Sequence, residues 1–521
     1  MSSANAAVDP LSLALKAVQA GQFEQAATYC QLALQEEPER AEALKILSGI
    51  RFMEGRLDEA LATLQRAAAL DPNDPKVHAN LGSILTRLNR PEEAVACYRR
   101  ALALDPNYAE AHYNLGAMLT QLERHEEALA CYDRVLALMP NHGRTLINRG
   151  SALSALNRHE EAIACYDKIL AGDPQYAEAE TNRGTALQWL NRVDEAIDRY
   201  DTALAVRPED AVAHWNKGLA ALYRGDFETG WREYEWRWRK PDFGGNRRDY
   251  PQPQWRGETD VAGKTILIFS EQGLGDVIQF CRYAPLLAER GATVLVECQA
   301  VLKPLLRSLP RVAGVYARGE PLPPFDLQCP MMSLPLAFKT DAASIPANVP
   351  YLAPSPETAA QWRARLGAKT KPRIGLAWSG NPTQKNDRNR SMALARLAPL
   401  VADARFEFHA LQKDIRESDR ATLAGLPQLR VHSEALADFD DAAALTAEMD
   451  LTISVCTSIV HLAGAMARPA WAMLTFSPDW RWLMERSDSP WYPTVRLFRQ
   501  TKVGDWDDVI ARVRAALDGF R

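Results

Sequence analysis

Prolines recur at Pro38, Pro72, Pro106, Pro140, Pro174 and Pro208, 34 residues apart each time. A period of that size leaves few architectures open. Each unit is one piece of supersecondary structure, too small to bury its own apolar face, and must stack on its neighbours. Alanines keep the same step at Ala26, Ala60, Ala94, Ala128, Ala162 and Ala196. A column of small residues runs ahead of them at Ala14, Ser48, Gly82, Gly116, Gly150, Gly184 and Gly218. Small residues let two helices approach closely, and proline stops the second helix before the next begins. The pattern predicts helical hairpins, six regular and a degenerate seventh, stacked into a superhelix with a concave face. Three of the eight cysteines, Cys97, Cys131 and Cys165, share one repeat position and no CxxC pair occurs. They read as small core residues rather than disulfides or metal ligands.

Period and residue order together resemble the tetratricopeptide repeat, a helix-turn-helix unit. A further column, Asn80, Asn114, Asn148, Asn182 and Asn216, stands two residues before the small one. An amide carries a donor and an acceptor, so a row of them can clasp the backbone of an extended chain whatever its sequence. This row resembles the peptide-holding ladder of O-GlcNAc transferases, which implies a protein partner or acceptor in the groove. Local hydrogen bonding within the repeat is the alternative, and both readings stand. In the seventh repeat Gly230 replaces the alanine, and the chain continues GWREYEWRWRKPDF. None of the 13 tryptophans precedes Trp189. Trp231, Tyr234 and Trp238 share a helical face, which predicts a seam to a second domain, with substrate stacking as the lesser reading. Gly244 to Pro253 reads as linker.

The second half opens on TILIFSEQGLGDVIQFCRY, Thr265–Tyr283. Ile266–Phe269 is long enough for a buried strand and too short for a helix. The chain breaks at Gly273-Leu274-Gly275 and resumes with helical spacing, so strand, glycine turn and helix begin a βαβ unit. Ile278 occupies the place of the third glycine of a dinucleotide fingerprint. Asp276 stands at the mouth of the helix, where it can take a proton from a hydroxyl or simply cap the helix. Further strands are predicted at Thr293–Glu297, Phe325–Cys329, Arg373–Trp378, Phe406–Leu411 and Leu451–Val455. The proline-rich stretch Ser344–Glu357 divides two lobes. Strand Arg373–Trp378 leads into Ser379-Gly380-Asn381-Pro382 and a polar loop, Lys385–Ser391. Leu451–Val455 delivers Cys456-Thr457-Ser458 to a helix at Ile459–Met466, an anion seat of free N–H groups at the positive end of a helix. Arg388 and Arg390 are placed to reach the same anion as forked donors. Two D-x-D triplets, Asp438-Phe439-Asp440 and Asp505-Trp506-Asp507, read as helix caps, and no catalytic metal is expected.

With 24% charged and 47% hydrophobic residues and a net charge of −5 over 521 residues, the composition suits a soluble globular protein and gives no sign of a nucleic-acid surface. No secretory signal or bilayer-spanning run is read, and a cytoplasmic location is expected.

The GLGD turn, the SGN…NDRNRS loop, CTSIVHLAGA and the PDWRW…SPWYP tail together resemble the ADP-heptose:lipopolysaccharide heptosyltransferase-like family. More closely, they resemble its bacterial branch fused to tetratricopeptide repeats. The resemblance implies an α-solenoid followed by a GT-B glycosyltransferase of two Rossmann-like lobes, an α + α/β chain. The expected domains are a solenoid over 1–240, a linker over 241–262, and lobes over 263–355 and 356–521, the second on the donor side. It implies metal-independent transfer of a sugar from a nucleotide donor, a substrate rather than a cofactor, with inversion. Asp276 matches the base and Arg390 the residue that meets the leaving diphosphate. Thr457, Ser458 and Ile459 match its backbone seat, with His461 in the same turn. Gly380, Asn381, Arg388 and Cys456 fall on the donor side, and Gly273 and Gly275 on the acceptor side. Cys456 stands where aspartate is commoner and Gln384 where histidine is expected. Flagellin-modifying enzymes of this build are the nearest functional idea. A transferase acting on lipopolysaccharide or polysaccharide, and a non-catalytic repeat adaptor, are the alternatives.

Overall fold

The computed structural model describes residues 9–243, 247–384 and 386–520. Residues 1–8 of the N-terminal stretch, the start of the linker at 244–246, and Lys385 of the polar loop lie outside these. Packing divides the chain into two compact units, Met1–Ala186 and Leu187–Arg521.

Among the described residues, fourteen helices run in pairs from Pro10–Gln19 to Phe227–Tyr234. The alanine column is fully buried from Ala26 to Ala196. The glycine column has a specific partner. A methyl added at Gly82, Gly116 or Gly150 would lie 2.7, 2.6 or 2.5 Å from the ring of Tyr98, Tyr132 or Tyr166. Each tyrosine sits on the second helix of the same repeat and is 0–2% exposed. The two helices of a hairpin therefore close onto a ring that only glycine admits. In the first repeats Ser48 takes that place and donates its hydroxyl to the carbonyl of Ala60 at 2.8 Å. Asn89, Glu123, Asn157 and Asn191 turn each hairpin with a left-handed backbone.

Beyond the helices lie two parallel sheets. The first has four strands, β1 (Thr265–Phe269), β2 (Thr293–Cys298), β3 (Gly314–Ala317) and β4 (Leu327–Pro330), in the order β3-β2-β1-β4. The second has six: β5 (Arg373–Ala377), β6 (Glu407–Ala410), β7 (Leu429–Val431), β8 (Leu451–Val455), β9 (Ala470–Leu474) and β10 (Val495–Arg499). Their order is β10-β9-β8-β5-β6-β7. β5, β8 and β9 are buried throughout, as apolar strands covered on both faces must be. All strands are parallel, and in both sheets the strand order reverses once, between β1 and β4 and between β5 and β8; crevices at such switch points are where open α/β sheets hold ligands.

The expected linker is partly built into the first sheet. Gln254 bridges Gln328 on β4, the Trp255 N–H donates to the Gln328 carbonyl at 2.8 Å, and Trp255 is 2% exposed. The aromatic face of the seventh repeat is buried within the second unit. Trp231 donates from Nε1 to the Thr340 carbonyl at 2.9 Å and meets Trp480 edge-on at 5.2 Å. Next to it, Arg237 is fully buried. It donates to Glu271 Oε1 at 3.1 Å and to Ser333 Oγ at 2.7 Å, and pairs with Glu235.

Two buried histidines brace the edge of the second sheet. His409 Nδ1 and His432 Nε2 share a hydrogen bond at 3.0 Å, with rings stacked 5.3 Å apart. Burial, then the neighbouring positive charges, push both rings down to about 4. In the unfolded chain they would titrate near 6.5. Stability is therefore complete above pH 6.5 and falls as the pH drops toward 4, because only the unfolded chain gains protons in that window. We expect about 5 kcal/mol to be lost from the second unit by pH 4.5, about half from each ring. Urea unfolding followed at each pH checks this, and His432→Gln should flatten the dependence.

Candidate active site

β1 ends at Phe269 and the chain turns through Ser270–Gly273 into the short helix Leu274–Phe280. Asp276 sits in its first turn and accepts a hydrogen bond from the Gly273 N–H at 2.8 Å through Oδ2. The capping role is thus present. Its other oxygen is ion-paired with Arg481, from the second sheet's C-terminal segment. Burial raises the pKa of Asp276, and the Arg481 guanidinium opposes the rise. A carboxylate with elevated basicity at the end of a central strand is what proton abstraction needs.

The helix Ser458–Ala465, which follows β8, faces it closely. Thr457 caps that helix, accepting from the Ile459 N–H at 3.3 Å. A methyl on Gly275 would lie 3.1 Å from His461 Cδ2 and 3.6 Å from Ser458 Cα. Gly275 is the residue that lets the two helices meet. His461 is 6% exposed, shares a hydrogen bond with the Tyr492 hydroxyl at 3.2 Å and stacks on Trp482. Burial pushes it down to about 3, so it stands neutral behind the seat.

From the end of β5, Gly380 lies against the guanidinium of Arg390, where a side chain would collide. Arg390 donates to the Cys456 carbonyl at 3.3 Å and to Asp387 at 3.4 Å. The Gly380 N–H goes to Ser391 Oγ at 2.9 Å. Asn381 is exposed and accepts from the N–H and hydroxyl of Thr383. Cys456 accepts a hydrogen bond from Trp482 Nε1 at 3.1 Å, and burial raises its thiol to about 11, so it stays protonated. Asp276, Gly275, Ser458 and His461 therefore form one cluster, and Gly380, Arg390 and Cys456 adjoin its second half. Arg388 is exposed on the same short helix, Asp387–Arg390, and has no place in either group.

Two residues, Arg481 and Arg416, escaped the sequence reading, and Tyr234 was read only as part of a seam. Arg481 lies inside the quoted PDWRW motif, but nothing in the motif says where its charge goes. Arg416 pairs with Asp387 and donates to the Gly380 carbonyl at 3.2 Å, with no sequence signal at all. Tyr234 exchanges hydrogen bonds with Gln272, two residues past the end of the turn's first serine, at 2.7 and 3.0 Å. Both D-x-D triplets act as caps: Asp438 accepts from the N–H groups of Asp440 and Asp441, and Asp505 from that of Asp508.

The asparagine column lies on the first helices of successive repeats. Asn80 is exposed and lines a cavity of about 120 Å³ with Lys45, Phe52 and Ile84. Asn114, Asn148, Asn182 and Asn216 are half-buried, and Asn148 donates to the Tyr113 hydroxyl at 3.2 Å.

Models of the tetratricopeptide repeat match residues 17–84, 107–175 and 181–230, and a TPR repeat model matches 82–122. The first half of the chain carries tetratricopeptide repeats. Protein FlbA of Caulobacter vibrioides is 28% identical over 325 residues, which are 58% of this chain and 54% of FlbA. The chain thus spans about half the length of that curated relative. Among solved structures, MamA is similar at 24% identity over 32% of this chain and 92% of its own, with a TM-score of 0.31. YrrB, described as a TPR protein with an unusual peptide-binding site, is 23% identical over 36% and 96%, with a TM-score of 0.34. PilF of Pseudomonas aeruginosa is 23% identical over 39% and 93%, with a TM-score of 0.35. Among the described residues no helix is long and apolar enough to cross a membrane.

Proposed function

We propose that the chain is an inverting, metal-independent glycosyltransferase of GT-B architecture, acting on a protein held by its repeats. One observation carries the reading. Asp276 follows β1, Gly380 and Arg390 follow β5, and Cys456–His461 follow β8, so the proposed base and the proposed diphosphate seat fall at the switch points of the two sheets. In this mechanism Asp276 takes the proton of an acceptor hydroxyl as its oxygen attacks the anomeric carbon from the face opposite the leaving group. The carbon–oxygen bond to the nucleoside diphosphate breaks, and the departing charge meets Arg390 and the N–H groups at the start of the Ser458 helix. Repeats of this type generally bind peptides or proteins, which supports a protein acceptor. Flagellin is the acceptor class suggested by the resemblance.

A second reading has its own support. Both carboxylate oxygens of Asp276 are engaged, and Gly275 is in close contact with the Ser458 helix. Such a site must open to admit a diphosphate, and a non-catalytic adaptor could remain closed. Incubating the full chain with UDP-, GDP- and ADP-linked sugars separates the two. The enzyme reading expects slow release of nucleoside diphosphate from at least one donor, unchanged by EDTA. No release, with no diphosphate binding by calorimetry, would leave the adaptor.

A further inference from the structure

Arg481 lies 205 residues beyond Asp276 and reaches it from the other lobe. It sits in the turn Trp480–Trp482 and is 5% exposed. Its Nη1 donates to both carboxylate oxygens of Asp479, at 2.9 and 3.0 Å, while Nη2 goes to Asp276. The guanidinium lies 4.3 Å over the ring of Trp480 and 5.6 Å from that of Phe280, which is on Asp276's own helix. The cation is therefore held by side chains from both lobes, and its side chain has little freedom to follow a moving carboxylate.

Among the described residues, the other groups with the largest influence on Asp276 supply no positive charge. Asp479 is a second carboxylate on the Arg481 side. Tyr234, from the seventh repeat, is held in its phenol form by burial, and His461, across Gly275, is neutral. We propose that Arg481 is a positioning residue, which fixes the Asp276 carboxylate from across the lobe boundary and holds it in the form that can accept a proton. The proposal rests on the reading of Asp276 as the base. Without Arg481, two partly exposed carboxylates would face each other with no cation between them, and their repulsion would raise the proton affinity of Asp276.

The test needs no substrate. The melting temperature of the full chain minus that of its Asp276→Asn variant, followed from pH 4.5 to 9, traces the titration of Asp276 and the groups paired with it, because groups distant from the site cancel. In an Arg481→Gln background the midpoint of that difference should move up by roughly one pH unit or more, a tenfold change in proton affinity. Arg481→Lys should restore at least half of the shift, which a purely structural role would not do. An unmoved midpoint in Arg481→Gln overturns the proposal. If that variant does not fold, Asp479→Asn replaces it: removing the competing carboxylate should move the midpoint down, and no movement or an upward one overturns the proposal. Donor turnover keeps the two ideas apart. Normal turnover in Asp276→Asn defeats the base, whatever the midpoints do. Lost turnover with an unmoved midpoint defeats only the role of Arg481.

Discussion

Replacing Arg237 by methionine should cost the second unit about 3–5 kcal/mol, the usual loss when one partner of a buried ion pair is removed. Arg237 and Glu271 are both fully buried, and the Met332 N–H also donates to Glu271 at 3.1 Å. Burial already raises Glu271 to about 7, with Arg237 the main opposing influence. Without the arginine, Glu271 must protonate or stay as an uncompensated charge. The same geometry predicts where the second unit can be cut. A fragment of residues 187–521 should fold cooperatively. One of residues 241–521, the span the sequence assigns to linker and lobes, should not, because it lacks Trp231, Tyr234 and Arg237. Tryptophan fluorescence reads both experiments cleanly, since every tryptophan lies in the second unit. Cooperative unfolding of the shorter fragment, or an Arg237→Met variant within 1 kcal/mol of the parent, would show that the seventh repeat is only laid on the sheets.

Asp276→Asn should leave fold and donor binding intact and lower turnover roughly 10²–10⁴-fold, the range for a positioned base. The substitution is narrow. An asparagine oxygen can still accept from the Gly273 N–H, so the cap survives, but its NH2 then faces the Arg481 guanidinium donor to donor and the ion pair is lost. The capacity to take a proton and the pairing with Arg481 are both removed, and Arg481 keeps Asp479 as its partner. Calorimetry with nucleoside diphosphate should give an affinity close to that of the parent, and circular dichroism an unchanged spectrum. Near-normal turnover would return Asp276 to the role of helix cap.

The repeats were legible because their signal is arithmetic: a proline, an alanine and a small residue at a fixed step survive any local variation. What the step could not show is why the small residue is needed. The tyrosines at positions 98, 132 and 166 keep the same period, but only the packed hairpin joins them to the glycines. In the second half, β1, β5 and β8 were readable because strands buried on both faces are continuously apolar. β3, with a glycine among four residues, carries too little such signal, whereas β9, apolar at all five positions, was equally open to reading. Of the site, Asp276, Gly380, Arg390 and the Cys456–His461 turn follow strand ends and could be placed from their motifs. Arg481 and Arg416 could not. Each acts across more than one element, and a charge in a local motif does not reveal which carboxylate it will meet in space.

The glycine–tyrosine lock lies wholly within each of the three repeats that carry it. Gly82 receives Tyr98, Gly116 receives Tyr132 and Gly150 receives Tyr166, with no ring borrowed from a neighbouring hairpin. A duplicated or deleted block of 34 residues therefore carries its own lock with it, and the hairpins on either side meet the same kind of surface as before. Unequal recombination can lengthen or shorten this array a repeat at a time without a folding penalty at the join. The length of the array is thus free to evolve separately from the sheets.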